Sequence, residues 1–257
     1  MKSYTIDDLQ SCFVKGNIST GDLVMVHSSL LGLGRLEKQI AKDVPAVIGR
    51  CLRDVVGSEG TIVVPTFSFE FCRGKVFDRQ NTPSEKMGAL SEWFRNQPDA
   101  LRSKHPIQSV AAIGPLAKEI CEVDTSSAFD LGGTFDQLIK QNAKLVLLGT
   151  SLQAASIIHF SEQHGEVPYR YWKNFSGPYR DLGQQQDKTY RMYVRNLEID
   201  PQLIMKPIED ELIARDQIQL EILGAGYVRS CSFRNLVAAA DDCLKQEPWC
   251  LVAGRNT

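Results

Sequence analysis

The chain has 257 residues, 43% apolar and 23% charged, with a formal net charge of −2. That length allows one large domain with a sizeable core. The near-neutral balance, with Lys and Arg spread along the chain, excludes an electrostatic footprint for nucleic acid or an anionic membrane.

"YTIDDLQSCFVKGN" predicts an opening helix, with Thr5 followed by acids in the first turn. Those acids stand where a signal peptide needs an apolar run, so a cytoplasmic protein is expected. No stretch approaches the roughly 18 apolar residues of a membrane span. "DLVMVHSSL" is a short β-rich run that ends in polar residues, and "IAKDVPAVIGRCLRDVVG" has helical apolar spacing closed by Gly57. "GTIVVPTFSF" is a buried-type strand in which Pro65 marks the exit from the sheet. "SEKMGALSEWFRNQP" predicts a helix stopped by Pro98, followed by a strand in "SVAAIG" and a proline-started helix in "PLAKEICEV". "AKLVLLGT" is the clearest strand, apolar on both faces as an interior strand must be.

A helix carrying His159 comes next, and residues 165–195, rich in Tyr, Arg, Gly and Gln, suggest a long functional loop or a substrate-binding insertion. "KTYRMYVRNLEI" alternates like a strand with one wet face, and "QLIMKPIEDELIARDQIQLEILG" begins a long helical region. "GYVRSCSF" and "RNLVAAADDCLK" complete the series as strand and helix. Alternating elements throughout predict an α/β fold, a layered sheet covered by helices, in a single domain spanning 1–257. Seven scattered cysteines, none spaced C-x-x-C, argue against a disulfide framework or a zinc site.

Four motifs carry the chemistry. In "MVHSSLLGLG", Ser28, Ser29 and the adjacent backbone N–H groups end a strand and could hold an anion such as a diphosphate. In "RSKHPIQSVAAIG", His105 precedes a proline in extended backbone and Ser109 follows four residues later. "LVLLGTSLQAAS" places Ser151 after a strand, as a nucleophile elbow would, but Gln153 fills the place of the second glycine of G-x-S-x-G. "SIIHFSEQHGE" spaces Ser156, His159 and Glu162 three apart, on one face of a helix. A carboxylate there orients the imidazole and stabilises its protonated form. The spacing is not H-E-x-x-H and no thiolate lies nearby, so a metal is not expected.

Taken together, "VHSSLLGLG", "GTIVVPTFSF", "TPSEKMGALSEWFRNQPDALRSKHPIQSVAAIG" and "LVLLGTSLQAASIIHFSE" resemble the aminoglycoside 3-N-acetyltransferase family in order and spacing, over roughly residues 20 to 180. The resemblance implies an acetyl-CoA-dependent N-acetyltransferase whose fold is distinct from GNAT acetyltransferases. It assigns His159 and Glu162 to the family's H-x-x-E, with the histidine as general base, and Ser156 to a position where a threonine is usual. It sets Ser28 and Ser29 near the coenzyme, and His105 and Ser109 along the coenzyme and acceptor region.

Two departures bear on the acceptor. "FDLGGTFDQLI" has Gly133 and Thr134 where resistance enzymes carry a Ser-Pro pair, and their antibiotic-gripping acids have no clear match. "EVPYRYWKNFSGPYRD" is instead rich in aromatic and cationic residues, with Tyr169, Arg170 and Lys173 as candidates for binding a phosphate-bearing sugar. The expected substrate is therefore an amino sugar, nucleotide-linked for surface polysaccharide biosynthesis, with the antibiotic as the alternative. A serine hydrolase and a non-catalytic coenzyme A or nucleotide-sugar binder are further alternatives. Neither nucleic acid nor membrane is an expected partner, and a homo-oligomer stays open.

Overall fold

The computed structural model describes residues 2–199 and 201–253. In chain order its first elements are β1 (Ser3–Tyr4), α1 (Ile6–Lys15), β2 (Leu23–Ser28), β3 (Arg35–Leu36), α2 (Val44–Val56) and β4 (Thr61–Pro65). Next come β5 (Phe77–Asp78), α3 (Ala89–Arg95), β6 (Leu101–Arg102), β7 (Val110–Ile113), α4 (Ala117–Cys121), α5 (Thr134–Lys140) and β8 (Lys144–Leu148). The last are α6 (Ile158–His164), β9 (Arg170–Asp181), β10 (Gln184–Arg195), α7 (Lys206–Ala214), β11 (Ile218–Leu223), β12 (Gly226–Ser232) and α8 (Phe233–Gln246).

A seven-stranded mixed sheet in the order β11-β12-β8-β2-β4-β7-β6 forms the centre. Strands β8, β2 and β4 run parallel, and β12, β7 and their outer neighbours pair antiparallel. The strand period of two sends alternate side chains to opposite faces. Val24, Val26, Ile62, Val64, Val146 and Leu148 pack with α1, α2 and α3 on one face. Leu23, Met25, Val63, Leu145 and Leu147 pack with helices α4 to α8 on the other. Both faces are covered, which is why the central strands are apolar throughout. The expected layered α/β architecture is what the chain adopts.

Local chemistry explains where the elements begin. Thr5 caps α1, accepting from Asp8 N at 3.1 Å while its own N–H donates to Asp8 Oδ2 at 2.8 Å. The helix expected from Ser84 starts only at Ala89, because Lys86 and Gly88 hold left-handed backbone, φ 59° and 88°. The helical region expected through Gly224 ends at Ala214, and left-handed Asp216 turns the chain into β11, where Ile218, Leu220 and Ile222 alternate. Helix α5, which the sequence reading passed over, fills seven residues after two glycines.

Residues 165–195 are not a long loop. From Arg170 they form a regular hairpin, twelve residues to each strand, closed by Leu182 and Gly183 at φ 47° and 80°. Two consecutive left-handed residues make the turn that matches strand twist. The hairpin adds β5 to make a separate three-stranded sheet. None of the described helices is long and apolar enough to cross a membrane.

Candidate active site

Because β2, β4 and β8 are parallel, their carboxyl ends share one edge of the sheet, where open α/β sheets place their ligands. His27 and Ser28 come from the end of β2, Pro65 and Phe67 from the end of β4, and the turn after β8 leads into α6. Together with Ser156 and His159 they line a cavity of about 250 Å³. A second cavity, about 1040 Å³, opens beside it and shares Ser28, Lys86 and Ala154 with the first.

His159 is 30% exposed to the smaller cavity, whereas Glu162, one helical turn on, is 1% exposed. His159 Nδ1 lies 2.6 Å from Glu162 Oε2, and the guanidinium of Arg170 reaches the same oxygen at 2.9 Å. A carboxylate only accepts, so His159 donates through Nδ1 and keeps Nε2 for a ligand. Burial disfavours ionisation of Glu162, but the hydrogen bond and charge of His159 and the charge of Arg170 outweigh it and hold the carboxyl below its ordinary range. The edge of Phe129 packs on the imidazole, ring centres 5.7 Å apart. The arrangement is a histidine with one nitrogen fixed by a permanent anion and the other turned to a cavity, which suits a general base.

Ser156 Oγ sits 3.4 Å from Nε2 of His27, a residue the sequence reading quoted in "MVHSSL" without singling it out. Burial lowers the His27 pKa to about 4, so its ring is neutral at physiological pH. Only its place at the end of a strand beside two serines could have drawn notice. Ser28 lines both cavities, and its Oγ has no hydrogen-bond partner within the protein. Ser29 lines the larger cavity and donates its N–H to Leu148 O at 2.8 Å. Main chain packs on main chain there: a Cβ on Gly149, at φ 63°, would lie 2.4 Å from Ser29 O, and one on Gly32 would lie 2.3 Å from Gly149 O.

The remaining candidates lie elsewhere. His105 and Ser109 are buried and line neither cavity. His105 Nδ1 accepts from Gln108 N at 3.1 Å, and Ser109 Oγ accepts from Arg102 Nε at 3.0 Å and donates to Thr66 O at 2.8 Å. Tyr169 is fully buried against Trp249, and Arg170 is committed to Glu162. Lys173 stands on the hairpin with its ammonium over the Phe175 ring, outside both cavities. The phosphate grip expected of this segment is therefore not assembled. Ser151 is exposed and lines neither cavity. Among the described residues, no group of three or more His, Cys, Asp or Glu side chains is placed to hold a metal ion.

The larger cavity suits a long, partly apolar anion such as acetyl-CoA. Its walls combine Leu31, Leu36, Ile40 and Val44 with Arg35 and Lys86, and no carboxylate lines it. The unpartnered Ser28 hydroxyl stands where it meets the smaller cavity.

A sequence model described as aminoglycoside 3-N-acetyltransferase matches residues 25–245. Aminoglycoside N(3)-acetyltransferase III of Acinetobacter baumannii is 28% identical over 228 residues, covering 80% of this chain and 77% of its own. The structure of AAC-IIIb in a binary complex with CoASH superposes with a TM-score of 0.81 at 21% identity, covering 99% of this chain and 100% of that one. Sisomicin-bound AAC-VIa gives a TM-score of 0.81 at 20% identity, with 95% and 98% covered. These findings overturn the expectation of a nucleotide-linked sugar for polysaccharide biosynthesis and favour the antibiotic alternative. The expectation had leaned on a basic, aromatic segment whose key arginine is spent on holding Glu162.

Proposed function

This chain belongs to the aminoglycoside 3-N-acetyltransferase family, acyltransferases that use acetyl-CoA, and on that premise we propose that it acetylates an amine of an aminoglycoside with His159 as general base. The observation that carries the proposal is the His159–Glu162 pair, 2.6 Å apart, with the imidazole at the cavity and the carboxylate buried behind it. Bound acetyl-CoA supplies an activated acetyl group and a sulfur leaving group. The amine of the acceptor is mostly protonated at neutral pH and cannot attack until a proton leaves. His159 Nε2 takes that proton first; the neutral nitrogen then bonds to the acetyl carbon, the carbon–sulfur bond breaks, and the second nitrogen proton leaves with the sulfur as free CoA thiol. Such bases contribute about 10²–10⁴-fold.

Glu162 holds the ring in the tautomer that leaves Nε2 free and stabilises the imidazolium formed. Arg170 keeps Glu162 anionic inside the protein. Ser156 Oγ, 3.4 Å from neutral His27 and lining the same cavity as His159, would donate to oxygen charge developing on the acetyl group. Ser28, which lines both cavities, and Ser29, which lines the larger one, would face the coenzyme when it is bound. The test is thiol release from acetyl-CoA with a panel of aminoglycosides, comparing the wild type with His159→Ala. The proposal requires acceptor-dependent release that the substitution lowers at least a hundredfold. A folded wild-type protein that releases no thiol with any member of the panel would refute it.

A further inference from the structure

The charge distribution of the two cavities says something about the acceptor that the family does not. An aminoglycoside with several amines is a polycation at neutral pH, and a site built to grip one needs carboxylates in its wall. Here no Asp or Glu lines either cavity, and Lys86 lines both. The walls around His159 are otherwise largely apolar, with Phe67, Met87, Ile158, Leu203 and Met205. Nearby acids are already spent. Glu162 is buried and shared between His159 and Arg170. Glu85, beside Lys86 in sequence, pairs with Arg73 at 2.6 Å and accepts from Phe69 N at 2.6 Å.

Lys86, by contrast, has no carboxylate partner among the described residues. Its backbone is held in the left-handed region at φ 59°, and the following turn packs on β2, where a Cβ on Gly88 would sit 3.1 Å from Ser28 O. Lys86 is therefore rooted at the junction of the cavities, exposed and with no carboxylate paired to it. We infer that the acceptor cavity filters by charge: it favours an amine whose frame carries few other ammonium groups, and Lys86 is the residue that sets the filter. The inference rests on acetyl transfer at His159 and deepens it by naming which acceptors are preferred. Like charges held several ångströms apart near a protein surface shift affinity on the order of tenfold per added ammonium, and salt weakens the effect.

The experiment measures kcat/KM by thiol release for 2-deoxystreptamine, a compact diamine, against sisomicin and gentamicin at low and high salt. Wild type, Lys86→Gln and Lys86→Glu are compared, with the KM for acetyl-CoA determined separately because Lys86 faces both cavities. Calorimetric binding of the same acceptors in the presence of CoA reads the filter without turnover. The expected result is weaker binding and lower kcat/KM for the more highly charged acceptors, a gap that narrows with salt. Lys86→Glu should then raise sisomicin binding about tenfold or more, with Lys86→Gln intermediate. Tighter binding of the polycations to the wild type, or an order unchanged by Lys86→Glu, would overturn the filter. Failure of every acceptor to release thiol, with binding still graded by charge, would count against the transfer reading and leave the filter standing.

Discussion

Two polar clusters flank the central sheet, each built on a histidine and an arginine, and they do different things. In the first, His159, Glu162 and Arg170 meet beside a cavity, with the imidazole partly exposed and an anion held behind it. In the second, His105, Ser109 and Arg102 lie sealed under the hairpin. Arg102 donates to Ser109 Oγ, Thr82 O and Thr66 O, and its guanidinium lies 4.7 Å from the Phe77 ring centre. No carboxylate pairs with it among the described residues, and burial pulls its pKa down to about 9. His105 packs edge-on against Tyr190, and burial lowers its pKa to about 4. A histidine and an arginine are common to both clusters. What separates them is an open face and a charge balance that leaves one nitrogen free to accept a proton.

On this contrast, substitution of the open histidine removes activity and substitution of the sealed one removes stability. His159→Ala gives the largest expected effect, a fall in kcat of about 10²–10⁴-fold with the melting temperature little changed. A comparable loss from His105→Gln at equal folded fraction would erase the distinction. Arg170→Met should cost both properties, because it leaves Glu162 buried with its cation gone. Breaking a buried pair this way costs about 3–5 kcal/mol, read in denaturant melts, and kcat should fall with it. An unchanged melt would show that Glu162 does not need the arginine to stay ionised.

A pH series sharpens the second half of the comparison. His27 and His105 both have folded pKa values near 4, below the ordinary 6.5, because burial disfavours their cations. The unfolded chain therefore binds protons first as pH falls. The stability these groups contribute is whole above about pH 6.5 and is lost progressively towards pH 4. Melting temperature should drop across that window, and His105→Gln should flatten the slope; parallel curves for the two proteins would remove His105 as a contributor. The smallest effect is expected at Lys173, which faces neither cavity: Lys173→Ala should leave kcat/KM within about twofold. A tenfold loss would put the hairpin back into acceptor binding.

Sequence pattern revealed the covered sheet and the His159–Glu162 pair, because burial on two faces and a helical period of three both leave direct marks on residue order. The same pattern misread Ile218–Leu223 as helix, since short apolar runs satisfy either period until a left-handed residue such as Asp216 intervenes. His105 drew notice for its motif, yet whether an imidazole faces a cavity or a wall depends on packing from distant segments, here Tyr190 of the hairpin. Arg170 was read as a phosphate ligand because the chain gives no sign that Glu162, eight positions earlier, is waiting for it. Lys86 was passed over within a motif expected to be helical.

The contact of Gly149 and Gly32 with the loop after β2 has one more consequence. Beside Ser29, which lines the larger cavity, peptide backbone meets peptide backbone so closely that a Cβ on Gly149 or Gly32 would lie only 2.3–2.4 Å from a carbonyl oxygen. A wall of that kind offers evolution or an engineer no side chain to trim or enlarge. Reshaping the smaller cavity has to proceed through side chains that line it, such as Lys86, Gln153, Leu203 and Met205, while the glycine contact stays as it is.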